Sequence, residues 1–217
     1  MISFLIPWNS GDSYREQSFE YLFNFLLKEF PESEICVGED DSEVFNRSKA
    51  RNNAFEISTN NIICIIDADT IIPPESVFDG INICTKNSTW VIPYYNYFNL
   101  TREYSQRFMM SDSLPLEDEL EFDFKILSWA GALILDREMY DKVGGYDERF
   151  EGWGWEDVAF RVALDNKIGR HLRCGSYVAH LWHPRNDADF GTEDELKNRK
   201  LFDKEYRKKY GWRDERV

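Results

Sequence analysis

Three short clusters in this 217-residue chain carry side chains that can do chemistry. Phe150-Glu151-Gly152-Trp153-Gly154-Trp155-Glu156-Asp157 sets two adjacent carboxylates among glycines and large flat aromatics. Sugars bind on aromatic faces, and a carboxylate beside such a platform can take a proton from a sugar hydroxyl. Upstream, Asp67-Ala68-Asp69 follows five consecutive apolar residues, Ile62 to Ile66. Two carboxylates one residue apart at a strand end can share a divalent cation and the ribose of a nucleotide, and such a hard oxygen site suits Mg²⁺ or Mn²⁺. Downstream, His180-Leu181-Trp182-His183 holds two of the three histidines in the chain. Histidine is the commonest transition-metal ligand, and the spacing leaves open which of the pair would complete a site begun by Asp69. Together the clusters supply acid, base and metal ligands, the chemistry of a metal-dependent sugar transferase.

Each cluster also has a plainer reading. An Asp-x-Asp can cap a helix or close a turn. Glu156 and Asp157 can be acidic decoration of a helix N-terminus, worth only a few tenths of a kcal/mol, roughly. Trp153 and Trp155 can be core, and the histidines can be polar residues packed on tryptophan. Gly152 and Gly154 weigh against the plain reading of the third cluster. They permit positive φ and close approach of a ligand, which a simple helix start does not require.

The elements that must position these clusters follow from pattern. Ile2 to Ile6 reads as a buried strand. A turn at Asn9 to Asp12 leads to an amphipathic helix over 14–30, with Phe19, Leu22, Phe23, Leu26, Leu27 and Phe30 at spacings of three and four, ended by Pro31. A strand at 34–37 and a helix at 45–57 come next. Ile62 to Ile66 shows no alternation, as expected for a central parallel strand covered on both faces, and delivers Asp67 and Asp69 at its C-terminal end, where open α/β sheets bind ligands. Pro73-Pro74 starts a helix, and Thr89 to Ile92 is a strand. The first half is thus βαβαβ-like. Residues 94–124 lack clean periodicity and read as a mobile or functional insertion over the site. A strand at 128–135, a short helix capped by Asp136 and ended at Gly144-Gly145, a helix over 157–166, a strand over 171–178 and a final helix over 192–210 complete the chain.

Composition narrows the function classes. A hydrophobic content of 42% with 16% aromatics predicts a folded single domain. A net charge of −14 excludes a general nucleic-acid binder, because duplex binding needs a basic face. The basic segment from Lys197 to Arg213 reads as a solvated helix face. Cys36, Cys64, Cys84 and Cys174 form no CxxC pair and read as buried free thiols in a reducing compartment. The N-terminus lacks a basic leader, and no run approaches the roughly 18 apolar residues of a membrane span, so a cytoplasmic protein is expected.

A wider pattern joins the clusters. Phe45-Asn46-Arg47-Ser48-Lys49-Ala50-Arg51-Asn52, Ile65-Ile66-Asp67-Ala68-Asp69, Trp129-Ala130-Gly131-Ala132-Leu133, Gly144-Gly145-Tyr146-Asp147, Gly152 to Asp157 and His180 to Pro184 occur in that order. The set resembles the inverting GT-A glycosyltransferases, especially the β-1,4-galactosyltransferase type and its bacterial polysaccharide-synthase (family 2-like) relatives, over about residues 2–190. The resemblance implies an α/β GT-A fold with a mixed, mostly parallel sheet flanked by helices. It implies a single domain over 1–217, with a nucleotide-sugar half at 1–93, an acceptor and catalytic half at 94–190 and a C-terminal helix at 191–217. By the same resemblance Asp69 would bind Mn²⁺ (or Mg²⁺) with His183. His180 stands where the galactosyltransferases have methionine. Asp67 would lie near the ribose, and Pro7, Asp40 and Arg47 would build the nucleotide pocket. Asp157 would be the general base, with Glu156 beside it. Trp153, Trp129 and Gly131 would face the acceptor. Trp155 departs from the family, which has glycine there.

The function implied is inverting transfer of a hexose or N-acetylhexosamine from a nucleotide-diphosphate sugar, taken as UDP-linked, to a hydroxyl of a glycan or other acceptor. A catalytically inactive sugar- or nucleotide-binding module of the same fold is the alternative. A sugar-nucleotide pyrophosphorylase fits less well, because no glycine-rich basic loop follows the first strand. A DNA-modifying transferase is opposed by the acidic charge.

Overall fold

The computed structural model describes residues 1–184 and 191–212, so the ends of the expected acceptor half (185–190) and of the C-terminal segment (213–217) lie outside the described residues. In chain order the strands are β1 (Ile2–Trp8), β2 (Glu34–Glu39), β3 (Ile62–Ile66), β4 (Thr70–Ile71), β5 (Val91–Ile92), β6 (Asn96–Leu100), β7 (Phe122–Ile126), β8 (Ala132–Asp136), β9 (Leu172–Arg173) and β10 (Tyr177–His180). The helices are α1 (Ser13–Glu29), α2 (Arg47–Ile57), α3 (Pro74–Asn87), α4 (Arg102–Met109), α5 (Arg137–Val143), α6 (Glu156–Lys167) and α7 (Glu193–Phe202), the last running on through a π turn at Asp203–Arg207 to Tyr210.

Side-chain caps start several helices, those at Asp12 and Asp136 as read from the sequence. Asp12 accepts from the Tyr14 and Arg15 amides, Asn46 from Lys49, Asp136 from Glu138 and Thr192 from Glu195. Gly144 ends α5 at φ 88°.

Six strands form the main sheet in the order β2-β1-β3-β8-β5-β9. β1 pairs parallel with β2 and β3, and β5 with β9, while β8 runs antiparallel between β3 and β5. Phe4, Leu5, Ile6, Ile63, Cys64, Ile66, Leu133, Ile134 and Leu135 fill its centre at 3% exposure or less, which explains why β3 reads as an unbroken apolar run. The helix α2 lies close on β2 because Gly38 has no side chain. A Cβ there would stand 1.9 Å from the Ala50 carbonyl oxygen and 2.5 Å from the Ala54 nitrogen.

The segment read as a mobile or functional insertion, 94–124, is not one continuous loop. It supplies β6, α4 and the start of β7, and these belong to a second, four-stranded sheet, β4-β10-β6-β7. Its strands hide from pattern analysis for opposite reasons. Residues Tyr97 to Leu100 are buried without alternation, whereas all five residues of β7 are exposed. The strand expected over 171–178 divides into β9 of the main sheet and β10 of the second sheet, with Gly175 at φ 73° in between. A third region packs apart from the main core: Phe150, Ala159, Val162 and Phe202 join α6 to α7, with Trp155, Leu201 and Tyr206 against them. The four cysteines are buried and unpaired. Among the described residues no helix is long and apolar enough to cross a membrane.

Candidate active site

The Asp67-Ala68-Asp69 turn leaves the end of β3 and is fixed by backbone on two sides. Asp67 N–H donates to the Gly131 carbonyl at 2.9 Å, and Leu181 N–H donates to the Asp69 carbonyl at 2.8 Å. Thr70 pairs with His180 across β4 and β10. This second sheet carries both histidines to Asp69. His180 Nε2 lies 3.6 Å from Asp69 Oδ1, and His183 Nε2 lies 3.4 Å from Oδ2. The donor atoms of the three residues fall within 4.8 Å of one another, a spacing at which they can share one ion. Burial opposes charge on Asp69, but His180, His183 and Arg15 hold its carboxyl well below the usual carboxylate range. Burial depresses the His183 imidazole, against the pull of Asp69, and so favours the neutral form that ligates metal. His183 Nδ1 lies 2.9 Å from the Pro184 carbonyl and 3.4 Å from Arg15 Nη2, so Nε2 is the ring nitrogen that faces Asp69. A carboxylate with two imidazoles suits a transition ion such as Mn²⁺ better than Mg²⁺, which prefers an oxygen shell.

Beside this triad runs a charge network whose central member, Arg51, the sequence reading did not single out. Arg51, 2% exposed, donates from Nη2 to Asp67 Oδ1 at 2.8 Å and pairs through Nη1 with Asp157 Oδ1 at 2.9 Å. One planar guanidinium thus joins the end of β3 to the first turn of α6, a task for which the rigid fork of arginine is suited. The Arg51 guanidinium also lies 4.8 Å from the Tyr146 ring centroid. Glu156 is 4% exposed, and its Oε1 meets Arg47 and Arg51 only at 3.6 Å, beyond hydrogen-bond distance. Burial pushes the Asp157 carboxyl up to about 7; Arg51 opposes the rise, and the Glu156 and Asp67 carboxylates add to it. A carboxyl poised there can accept a proton near neutral pH.

The remaining expected site residues fall into two groups. Arg47 opens α2 and reaches Glu156, so it joins the network. Pro7 is buried in β1 opposite Gly38, near the strand end but within the ladder. The Asp40 carboxylate is engaged by its own loop. It accepts from Asn46 N–H at 2.9 Å and Ser42 Oγ at 2.8 Å and pairs with Lys49 at 2.9 Å; burial alone would raise it, but these partners pull it down to about 2. Trp129 is 8% exposed beneath the Arg161 guanidinium, 4.2 Å from its ring centroid. Gly131 acts through its backbone, at φ 98°, with its carbonyl receiving Asp67 N–H and Thr70 Oγ1–H. Trp153 is half-buried in the turn before α6. A cleft of about 170 Å³ opens on the histidine side, lined by Asn99, Asp123, Phe124, His180, Trp182 and His183.

A family model described as glycosyltransferase like family 2 matches residues 26–170. The β-1,4-galactosyltransferase 4 of Cricetulus griseus is 24% identical over 203 residues, covering 90% of this chain and 52% of that protein. The chain therefore spans about half the length of such relatives. Among solved structures, the catalytic domain of Drosophila β1,4-galactosyltransferase 7, in complex with xylobiose, aligns with a TM-score of 0.55 at 15% identity, over 91% of this chain and 79% of that one. Glucosyl-3-phosphoglycerate synthase of Mycobacterium tuberculosis, in complex with Mn²⁺ and UDP-glucose, aligns with a TM-score of 0.54 at 15% identity, over 99% and 80%. With two sheets flanked by helices and an acidic turn at the end of β3, the chain has the GT-A fold and belongs to the glycosyltransferase-like family 2.

Proposed function

We propose that the chain is a metal-dependent inverting glycosyltransferase that moves a hexose or N-acetylhexosamine from a UDP-linked donor to a hydroxyl of a glycan or other acceptor. The observation that carries this reading is Arg51, which ties the donor-side Asp67 to the base candidate Asp157 while Asp69 faces two histidines two residues further on. Asp69, His183 and His180 would hold Mn²⁺, which when bound supplies positive charge against the diphosphate. Asp67, Arg47 and Pro7 would receive ribose and base, and Asp40 would order the loop that leads into α2. Trp153 would carry the acceptor ring, with Trp129 and Gly131 supporting that side.

In the reaction the acceptor oxygen bonds to the anomeric carbon as the bond from that carbon to the diphosphate oxygen breaks on the opposite face. The hydroxyl proton passes to Asp157, and the nucleoside diphosphate leaves with the bonding pair. Proton removal of this kind contributes about 10²–10⁴-fold. Arg51 keeps Asp157 ionised enough to act, and Glu156 faces Arg47 and Arg51 beside it. In this reading residues 1–93 form the donor half and 94–190 the acceptor half, followed by the C-terminal helix. Four buried, unpaired thiols support a reducing, cytoplasmic setting.

The test is release of nucleoside diphosphate from a panel of UDP- and GDP-sugars with a panel of acceptors, in Mn²⁺, Mg²⁺ or EDTA. Asp157→Asn should abolish transfer and leave UDP affinity in place. Equal loss of both would sink the base assignment. Binding of donor without turnover by wild type would favour the inactive module.

A further inference from the structure

Trp155 stands between the Gly152–Gly154 turn and α6 with a φ of 75°. A bulky residue holds that left-handed conformation only where its surroundings over-determine it. Those surroundings are α7. Trp155 Nε1–H donates to Glu195 Oε1 at 2.8 Å, and its ring packs 5.0 Å from that of Phe202. Asn198, 1% exposed, donates through Nδ2 to the carbonyls of Glu151 at 2.8 Å and Trp153 at 3.2 Å. Lys197 pairs with Glu151 at 2.7 Å. Asp194 lies so close under Gly152 that a Cβ there would meet its Oδ2 at 2.6 Å. Successive residues of one helix thus fasten the backbone from 151 to 155. Glu195 is itself 6% exposed, so its bond to the indole is shielded from water.

We propose that α7 is a positioning element of the acceptor site, in which Glu195 and Asn198 act through Trp155 and the Glu151 and Trp153 carbonyls to set where the Trp153 ring stands relative to Asp157. The proposal rests on the transferase reading above. With glycines on both sides of Trp153 at φ 69° and 94°, the turn has no intrinsic reason to keep one shape. A glycine at 155 would add a further hinge. Trp155 removes that hinge and gives the turn a handle that α7 grips. Asp157 is then held from two sides, by Arg51 through its carboxylate and by α7 through the chain that leads into α6. Asp67, Asp69 and both histidines take their fastening from β3, β10 and α2 instead, so loosening α7 should act on the acceptor and spare the nucleotide.

Glu195→Ala, Glu195→Gln and Trp155→Gly separate these effects. Amide hydrogen exchange across 150–156 reads the fastening, UDP titration with Mn²⁺ reads the nucleotide site, and steady-state kinetics read the acceptor. Glu195→Ala should speed exchange across 151–155 and raise acceptor KM about tenfold, as for loss of one charge-assisted hydrogen bond, with UDP affinity unchanged. Glu195→Gln keeps an oxygen for the indole and should recover most of the acceptor KM, a rescue that a merely unstable variant would not show. Trp155→Gly should loosen the turn even if the chain is relieved of its strained φ. Unchanged exchange in Glu195→Ala overturns the proposal, as does faster exchange with unaltered acceptor KM. If wild type transfers to no acceptor, the transferase reading fails by itself, and exchange still decides whether α7 fastens the turn.

Discussion

In the proposed transferase, the donor-side and acceptor-side halves of the site are built by different means. Asp67 and Asp69 stand at the end of a strand buried in the main core, and backbone hydrogen bonds to Gly131 and Leu181 fix their turn. The Gly152–Trp155 turn has no ladder beneath it. It is fixed by side chains of α7 and by a small separate core around Phe150 and Phe202. A backbone-fixed half is rigid at little cost in sequence, because ladder bonds need no particular side chain. A half fixed by side chains can be re-aimed by single substitutions. Arg51 is where the two halves meet.

Removing that junction gives the largest effect on the comparison after loss of Asp157 itself. Arg51→Met leaves Asp67, Glu156 and Asp157 without their shared cation and should lower unfolding free energy by about 3–5 kcal/mol, read by urea denaturation. If the variant folds, the missing cation raises Asp157 further above its value of about 7. As the proposed base, Asp157 works deprotonated, so the acid limb of the pH–rate profile should move to higher pH. A limb that stays in place would separate Arg51 from the base.

The glycine positions sharpen the contrast between ladder and side-chain fastening. Gly131→Ala forces a Cβ to 2.8 Å from the buried Tyr97 ring at φ 98°, and should cost about 1–3 kcal/mol of global stability. Gly152→Ala is strained too, at φ 69°, but its closest clash is with Asp194 Oδ2, the mobile end of a side chain, with Cγ and Cβ at 3.1 and 3.2 Å. It should cost about 1–2 kcal/mol, felt as faster local exchange more than as a lower Tm. Equal Tm losses would mean that the two halves unfold as one.

The smallest effect is at acid pH. The Asp40 carboxyl is held at about 2 in the folded chain, against about 3.9 in an unfolded one. Its contribution is therefore complete above pH ~4 and lost as pH falls through ~2. Asp40→Asn should flatten the acid limb of the stability curve in that window and leave neutral activity near that of wild type if the residue serves only its loop.

Much of the fold over residues 1–93 was legible in the sequence. An unbroken apolar run marks β3, side-chain caps mark α1 and, further along the chain, α5, and the acidic turn falls where a strand must end. The second sheet was not legible, because β4 has two residues and β7 is exposed on both faces, so neither shows a period of two. Its partners also lie far apart in sequence, as with Asn96 and Tyr177. Arg51 left a signal that went unread. It sits in the buried stripe of α2 with Ala50, Ala54 and Phe55, where a charge is out of place unless something buried answers it. The role of α7 had no local signal, since Glu195 and Asn198 look like ordinary polar residues of a charged helix until their partners forty-odd residues away are known.

Gly175 carries a consequence for how this chain can change length. Between Arg173 and Tyr177 the chain steps from one sheet to the other, and at Gly175 even a methyl group would meet Ser76 Oγ at 2.5 Å and the Pro93 carbonyl at 2.6 Å. The crossing has no slack to absorb an added residue. Because strand side chains alternate, an insertion there would slide β10 by one register and exchange its two faces. His180 would turn from Asp69 toward the opposite side of the sheet. Insertions and deletions are therefore closed to this crossing, while exposed Met110 to Ser113, beyond α4, leaves room for them.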